Sequence, residues 1–557
     1  MPDRRRAGRR VWLVTVMEGL SRTADGERVP VAAERARGRL TREDPFLGWA
    51  SAIGIALLAL FLRLWRLGSP HAMQFDETYY AKDAWSLLHF GYTREYVAKA
   101  DAKILSGHTT GIWQDGPSMT VHPEVGKWMI ALGEKAFGMD PFGWRVSAAV
   151  AGALMVLVMC RLARRLTGST LLGCVAGLLL CFDGLQLVLS RLALLDGFEA
   201  LFILCAVAAC VNDRDWMRRR LAQRPPSPGG FGPVLWFRPW LFVAGLCFGL
   251  ACGTKWGAAI VLAGFGLLVW VWAAGARRSF GVAWALPRSL LVDAPVAFVH
   301  LVVVAFVVYV ATWTGWLMHA HQFEEHLSNT QYTQFDGGSQ WPTAKEPDAD
   351  GFVGETWQSL RSLYYYHHDV LTFHTHFLND SSHVYQSKPL GWLVLNRPVG
   401  VDAQLKILPG EQGCDAPAKS DCLRQVLLIG NPVLWWGGVV ALVYAVFGWV
   451  ARRDWRYGIV VVGVATTWLP WFRYADRPIF LFYAINILPF TVLALTLLMG
   501  RLTRGPVSST RRTVGTIVAG SFFILVVLNF AWFWPIWTDG LITHSEWMSR
   551  IWFSRWI

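Results

Sequence analysis

Eleven apolar runs, most of them long enough to cross a membrane, punctuate this chain: roughly 47–66, 143–161, 170–189, 192–211, 239–254, 256–275, 294–316, 428–450, 458–472, 479–499 and 514–534. About 20 apolar residues carry a helix across a bilayer, and in lipid each segment must satisfy its own backbone hydrogen bonds. The runs predict an all-α polytopic membrane protein. The connecting loops test that count. With a cytoplasmic N-terminus, the inside loops are 161–169, 212–238, 276–293, 451–458 and 501–512. They carry "RLARRLTGS", "RDWMRRRLAQR", "ARRSF", "ARRDWRYG" and "RLTRGPVSSTRR". All five are Arg-rich, as cytoplasmic loops are. One miscounted span would send part of this set to the wrong side.

Composition agrees. The chain is 54% hydrophobic and only 16% charged, too little charge for a soluble protein of 557 residues. Its net charge of +13 sits in short loops between apolar runs, which argues for orientation signals and against a nucleic-acid partner. Residues 1–46 read as a flexible basic cytoplasmic arm without a signal-peptide pattern. Its apolar piece "VWLVTVM" (11–17) can at most lie on an anionic membrane surface. Residues 47–316 hold seven spans and an external loop, 67–142. An external loop domain at 317–427 follows, then four spans at 428–534 and an external tail at 535–557.

Two stretches of the first external loop read as helices lying along the outer membrane surface. "HPEVGKWMIALGEKAFG" places Pro123 at a helix start, with Val125, Met129, Leu132 and Ala136 on one face. "ETYYAKDAWSLLHFG" places Tyr80, Ala84, Leu87 and Leu88 on one face and ends at Gly91. Seven of the nine cysteines fall within spans and read as small apolar fillers. Cys414 and Cys422 lie in the large external loop, where an oxidising side would allow a small disulfide loop.

Charged side chains gather at the outer face. Asp76 and Glu77 follow the first span, and Arg145 opens the second. Arg191 and Asp196 flank the turn "SRLALLD", Lys255 interrupts "GTKWG", and Arg477 lies in "RYADRPIF". Any one basic residue at a span end can simply snorkel to headgroups. Asp76 and Glu77 with four bases on one face, however, can build an anion site beside a carboxylate base. Transfer of a sugar from a lipid monophosphate needs that arrangement. Cations stabilise charge growing on the departing phosphate, and a carboxylate takes the proton of an attacking hydroxyl. Asp76 suits the base; its bland alternative is an acid favoured by a helix dipole. Helix neighbours point about 100° apart, so Glu77 more naturally holds a base such as Arg145. A divalent metal is not required, since side chains can balance a monophosphate.

"FDETYYAKDAW", "VHPEVGKWMIALGEKAFG", "GWRVSAAVAGAL", "LSRLALLDGF" and "GTKWGA" occur in this order through the first half. Together they resemble the protein O-mannosyltransferase family of GT-C membrane glycosyltransferases. "FHTHFLNDSSHVYQSKPLGWLVLNRPV" and "RPIFLFYAINILPF" look like an actinobacterial member, less sharply. The resemblance implies transfer of mannose from polyprenyl-phosphate mannose to Ser or Thr of secreted proteins, with inversion, across a fold of eleven spans. It implies Asp76 as catalytic acid, Glu77 as its partner, Arg145 paired with that motif, and Lys255, with Arg191 and Arg477, near the carrier phosphate. It also implies a link to the secretion translocon, and no protein-bound metal or other cofactor. The chain departs from eukaryotic members at Glu124, where they carry a second Pro, and 317–427 is too short for their β-trefoil domain.

His122 fits either positioning of Asp76 or acceptor binding, and Tyr483 can line the lipid and sugar sites. His367, His368, His374, His376 and His383 cluster in the large loop. On a strand, His374 and His376 would share a face and could ligate a metal. Two rivals stand beside the main reading. One is a GT-C transferase moving arabinose or another sugar to a lipid or glycan. The other is a transporter, which would show internal repeats and midplane charges.

Overall fold

The computed structural model describes residues 44–226, 230–335, 337–379 and 381–557, with a short backbone ladder pairing Leu20–Arg22 to Arg28–Pro30. The segment 11–17 and the rest of the N-terminal arm lie outside the described residues. Among the described residues, seven helices are long and apolar enough to cross a membrane. They are α1 (Pro45–Leu64), α4 (Pro141–Thr167), α6 (Leu195–Gln223), α8 (Ala258–Ser279), α9 (Ala294–Ala311), α11 (Pro432–Val450) and α14 (Thr510–Trp537). Shorter apolar helices accompany them: α5 (Thr170–Cys181), α7 (Pro239–Cys252) and α13 (Leu488–Leu502). α12 (Trp455–Trp468) continues as a 3-10 turn to Phe472.

Local chemistry sets these boundaries. Asp44 and Asp140 cap α1 and α4 by accepting the amides of Phe46 and Gly143, and a proline follows each cap. α4 ends at Gly168, whose φ of 71° suits glycine. Phe46, Leu57 and Phe61 of α1 are exposed, as a lipid-facing surface requires.

Several expected runs are not single helices, and each exception has a polar cause. The run 170–189 breaks after α5, because Asp183 caps a new turn, Gly184–Leu189, through the Gln186 amide. Asp183 also accepts from the Asn431 amide and the Trp435 indole, locking the break to the start of α11. α6 extends to Gln223, so half of the expected loop 212–238 is helical, and its Asp213 pairs with Arg238 in the interior. The run 479–499 becomes helical only at Leu488; Leu481–Asn486 forms a 3-10 turn instead.

In the first external loop, α2 (Glu77–Phe90) ends at Gly91, and Tyr80, Ala84 and Leu87 are buried. A hairpin, β1 (Arg94–Tyr96) with β2 (Trp113–Pro117), follows. α3 (Val125–Phe137) begins two residues beyond Pro123, and the residues of its expected face differ in burial. Leu132 and Phe137 point outward, whereas Val125, Gly126, Ile130 and Gly133 pack inward beside buried Lys127 and Glu134. Helices at a membrane can invert the soluble pattern, turning large apolar side chains to lipid and small or paired polar ones to protein.

The molecule is not wholly helical. In the large loop, α10 (Gly351–Thr372) is followed by a π-helical turn, Phe373–Phe377. A three-stranded antiparallel sheet then joins β3 (Val399–Ile407), β4 (Cys422–Leu428) and β5 (Ile542–Thr543). β5 belongs to the C-terminal tail and pairs Ile542 with Leu423, so loop and tail form one layer. Cys414 and Cys422 are joined as a disulfide at the edge of this layer.

Candidate active site

The turn preceding α2 sets the site. Phe75 adopts a left-handed φ of 52° and is held by edge contacts with Phe480, Phe482 and His383. A bulky residue persists in that conformation only when its surroundings fix it. The next residue, Asp76, occupies the N-cap position, yet its side chain makes no capping bond. Its one side-chain contact of hydrogen-bond length is the Tyr80 hydroxyl, at 3.4 Å. Burial raises the Asp76 carboxyl to about 6, against the pull of the Lys255 ammonium and with added repulsion from Asp196.

Glu77 turns the other way and is saturated. Its two oxygens accept from Arg145 at 2.8 and 2.7 Å, and both side chains are fully buried. The same carboxylate accepts the amides of Gln74 and Ala193, while Arg145 also binds the carbonyls of Pro70 and Ala72. Both oxygens of Glu77 are thus occupied within the protein. The carboxylate ties the Asp76 turn to α4 and to the turn before α6.

Beside Asp76 lies a cavity of ≈ 220 Å³. Lys255, in the turn between α7 and α8, lines it, with its ammonium 2.8 Å from Asp196 and 5.2 Å over the Tyr483 ring. Arg477 lines the same cavity and donates to the ring nitrogen Nδ1 of His374 at 3.1 Å, leaving its buried Nε–H without a protein acceptor. His374 in turn donates Nε2–H to the Val121 carbonyl, so its tautomer is fixed. Burial, then the Arg477 charge, lowers His374 to about 4. His122 stacks on His374 and faces Tyr80; burial and nearby cations push it well below the usual histidine range. Both imidazoles are neutral at pH 7. Asp76 does not itself line the cavity; its partner Tyr80 lies against His122, which does. The far side of the cavity is apolar, with Ile260, Val261, Pro470 and Trp471.

Arg191 stands elsewhere. Its guanidinium donates to the carbonyls of Arg63, Trp65 and Arg66 at the end of α1, so it caps a helix and is spent there. The premise for pairing His374 with His376 also fails. They lie on a helical turn, and His376 packs against Phe335 while His374 faces the cavity. The cavity residues that were not anticipated include Glu199 and Asn486, hydrogen-bonded at 2.8 Å. The spacing Asp196, Glu199 on α6 could have revealed the first, since i and i+3 share a helix face.

Residues 53–324 match the family described as dolichyl-phosphate-mannose-protein mannosyltransferase, and 359–556 match the C-terminal four-span region of protein-O-mannosyltransferase. A polyprenol-phosphate-mannose–protein mannosyltransferase of Mycolicibacterium smegmatis is 36% identical over 527 residues, 92% of this chain and 94% of the relative. The chain belongs to the protein mannosyltransferase family. A Mycobacterium tuberculosis relative of the same name is 35% identical over 528 residues, 92% of each chain. The yeast (S. cerevisiae) Pmt1–Pmt2 complex bound to its sugar donor shares the fold, with a TM-score of 0.68 over 97% of this chain and 96% of that one, at 14% identity. This mannosyltransferase is thus a multi-pass membrane glycosyltransferase of the GT-C fold.

Proposed function

We propose that this enzyme transfers mannose from polyprenyl-phosphate mannose to Ser and Thr hydroxyls of secreted proteins, with inversion, at the extracytoplasmic face. The carrying observation is Asp76: an uncapped, half-buried carboxyl beside a cavity whose cations are Lys255 and Arg477. With its pKa at about 6, Asp76 is about 90% ionised at pH 7 and able to take a proton. In the proposed step, the acceptor hydroxyl loses its proton to Asp76 as its oxygen bonds to the anomeric carbon. The bond from that carbon to the phosphate oxygen breaks on the opposite face, which inverts the centre. Lys255 and the free Nε–H of Arg477 receive the departing phosphate, so side chains balance its charge without a metal. The apolar side of the cavity suits the start of the polyprenyl chain. Relatives named for polyprenol-phosphate mannose and for protein support this choice of donor and acceptor. The Arg-rich loops favour a cytoplasmic N-terminus and an external site, where an exported segment would meet it still unfolded as it leaves a secretion channel.

The test is to incubate the purified protein with polyprenyl-phosphate mannose and a Ser/Thr-rich peptide, then weigh the peptide. A gain of one hexose on a hydroxyl side chain is expected. An unmodified peptide, with mannose passed instead to a lipid or glycan, would reject the reading.

A further inference from the structure

α13 starts five residues after Tyr483 of the cavity and runs 15 residues, a rise of about 22 Å, toward the opposite membrane face. At that far end lies a second concave pocket of ≈ 50 Å³, between the end of α13 and the loop joining α11 to α12. Arg452, Arg456, Arg501 and Arg504 line it, against a single carboxylate, Asp454. Arg456 is spent on that carboxylate, with Nε 2.9 and 3.1 Å from its two oxygens. Arg452 and Arg501 stand beside that pair in one small concavity, whose lining carries more positive than negative charge. Nothing in the proposed transfer uses them, since the length of α13 separates them from the cavity.

The surroundings favour a lipid. Leu172 and Leu497 form apolar walls. Tyr444 of the lining packs on Phe447, and Arg452 lies over that same ring at 5.4 Å. Phe447 opens the outward face of α11, where Val443 and Val450 are each 69% exposed. A cationic pocket thus adjoins a lipid-facing strip of helix. Guanidinium forks match phosphate oxygens, and arginines at a membrane boundary attract anionic headgroups.

We propose that this pocket binds the phosphate of an anionic lipid headgroup, with the acyl chains lying along the exposed face of α11. The full-length protein in detergent is titrated with phosphatidylglycerol or phosphatidylcholine, and bound lipid is counted by native mass spectrometry. Phosphatidylglycerol should bind in preference and raise the melting temperature of the unaltered protein. The R452Q/R501Q variant should bind it about 10-fold or more weakly, and R452K/R501K should retain most of the affinity. Inorganic phosphate at millimolar concentration should not displace it. Equal binding of the two lipids by the unaltered protein would overturn the proposal, as would full affinity in R452Q/R501Q. Displacement by inorganic phosphate would make a soluble anion the ligand and overturn it too.

Discussion

Glu77 and Arg145 join two fully buried side chains through two hydrogen bonds, 2.8 and 2.7 Å long, and in doing so fix the chain on which Asp76 stands. The pair also gathers backbone groups of residues 70, 72, 74 and 193. Removing one partner strands the other charge in the interior, which costs about 3–5 kcal/mol. Glu77→Ala should lower the melting temperature in detergent sharply, together with activity. Glu77→Ala with a normal melting temperature but no activity would mean that Glu77 acts on the reaction and not on the fold.

Asp76→Asn should behave in the opposite way. The amide keeps the size of the side chain but cannot take a proton, so transfer should fall by about 10²–10⁴-fold. Binding of the carrier lipid should persist. Single-turnover mannosylation of a peptide, set beside lipid binding, separates the two. Near-normal transfer would remove Asp76 from the chemistry.

The raised pKa of Asp76 has two consequences of known sign. Activity needs the ionised form, so the rate should rise with pH through about 6 and then level off. Stability runs the other way. The folded protein holds this proton up to about pH 6, whereas an unfolded Asp releases it near 3.9. Between those values the folded state binds more protons, so stability from this group falls as pH rises. Asp76→Asn abolishes that loss and should melt at a higher temperature than the parent at pH 7.5, with the difference vanishing near pH 4. A parent and variant that melt together at both pH values would deny the burial of a charge at Asp76.

What the sequence exposed and what it hid follow from different physics. The helical, multi-pass character and the pairing of Glu77 with Arg145 were legible, because hydropathy is a local property and adjacent acids on a helix point apart. The break at Asp183 was not, because an acid in an apolar run can be paid for by partners 248 and 252 residues away. The 3-10 turn at 481–486 was hidden for a related reason: its residues are apolar enough to continue a span, yet tertiary contacts bend them to aim Tyr483 and Asn486 inward. The role of Arg191 could not be read either, since a guanidinium that caps a distant helix and one that binds phosphate look the same in one dimension.

That contrast gives the last prediction. Lys255 and Arg191 were alike in sequence, but Lys255 lines the cavity and Arg191 holds the end of α1. Lys255→Ala removes a cation from the proposed phosphate site, so the apparent KM for polyprenyl-phosphate mannose should rise while that for the peptide changes little. Arg191→Ala removes the guanidinium donor from the Arg63 and Trp65 carbonyls at a helix end and should lower the melting temperature, with donor KM nearly unchanged in the protein that remains folded. Steady-state kinetics with donor and peptide varied in turn, on both variants, decides the matter. An Arg191→Ala enzyme that is fully stable but weak in donor use would return Arg191 to the phosphate site and displace the helix-capping account.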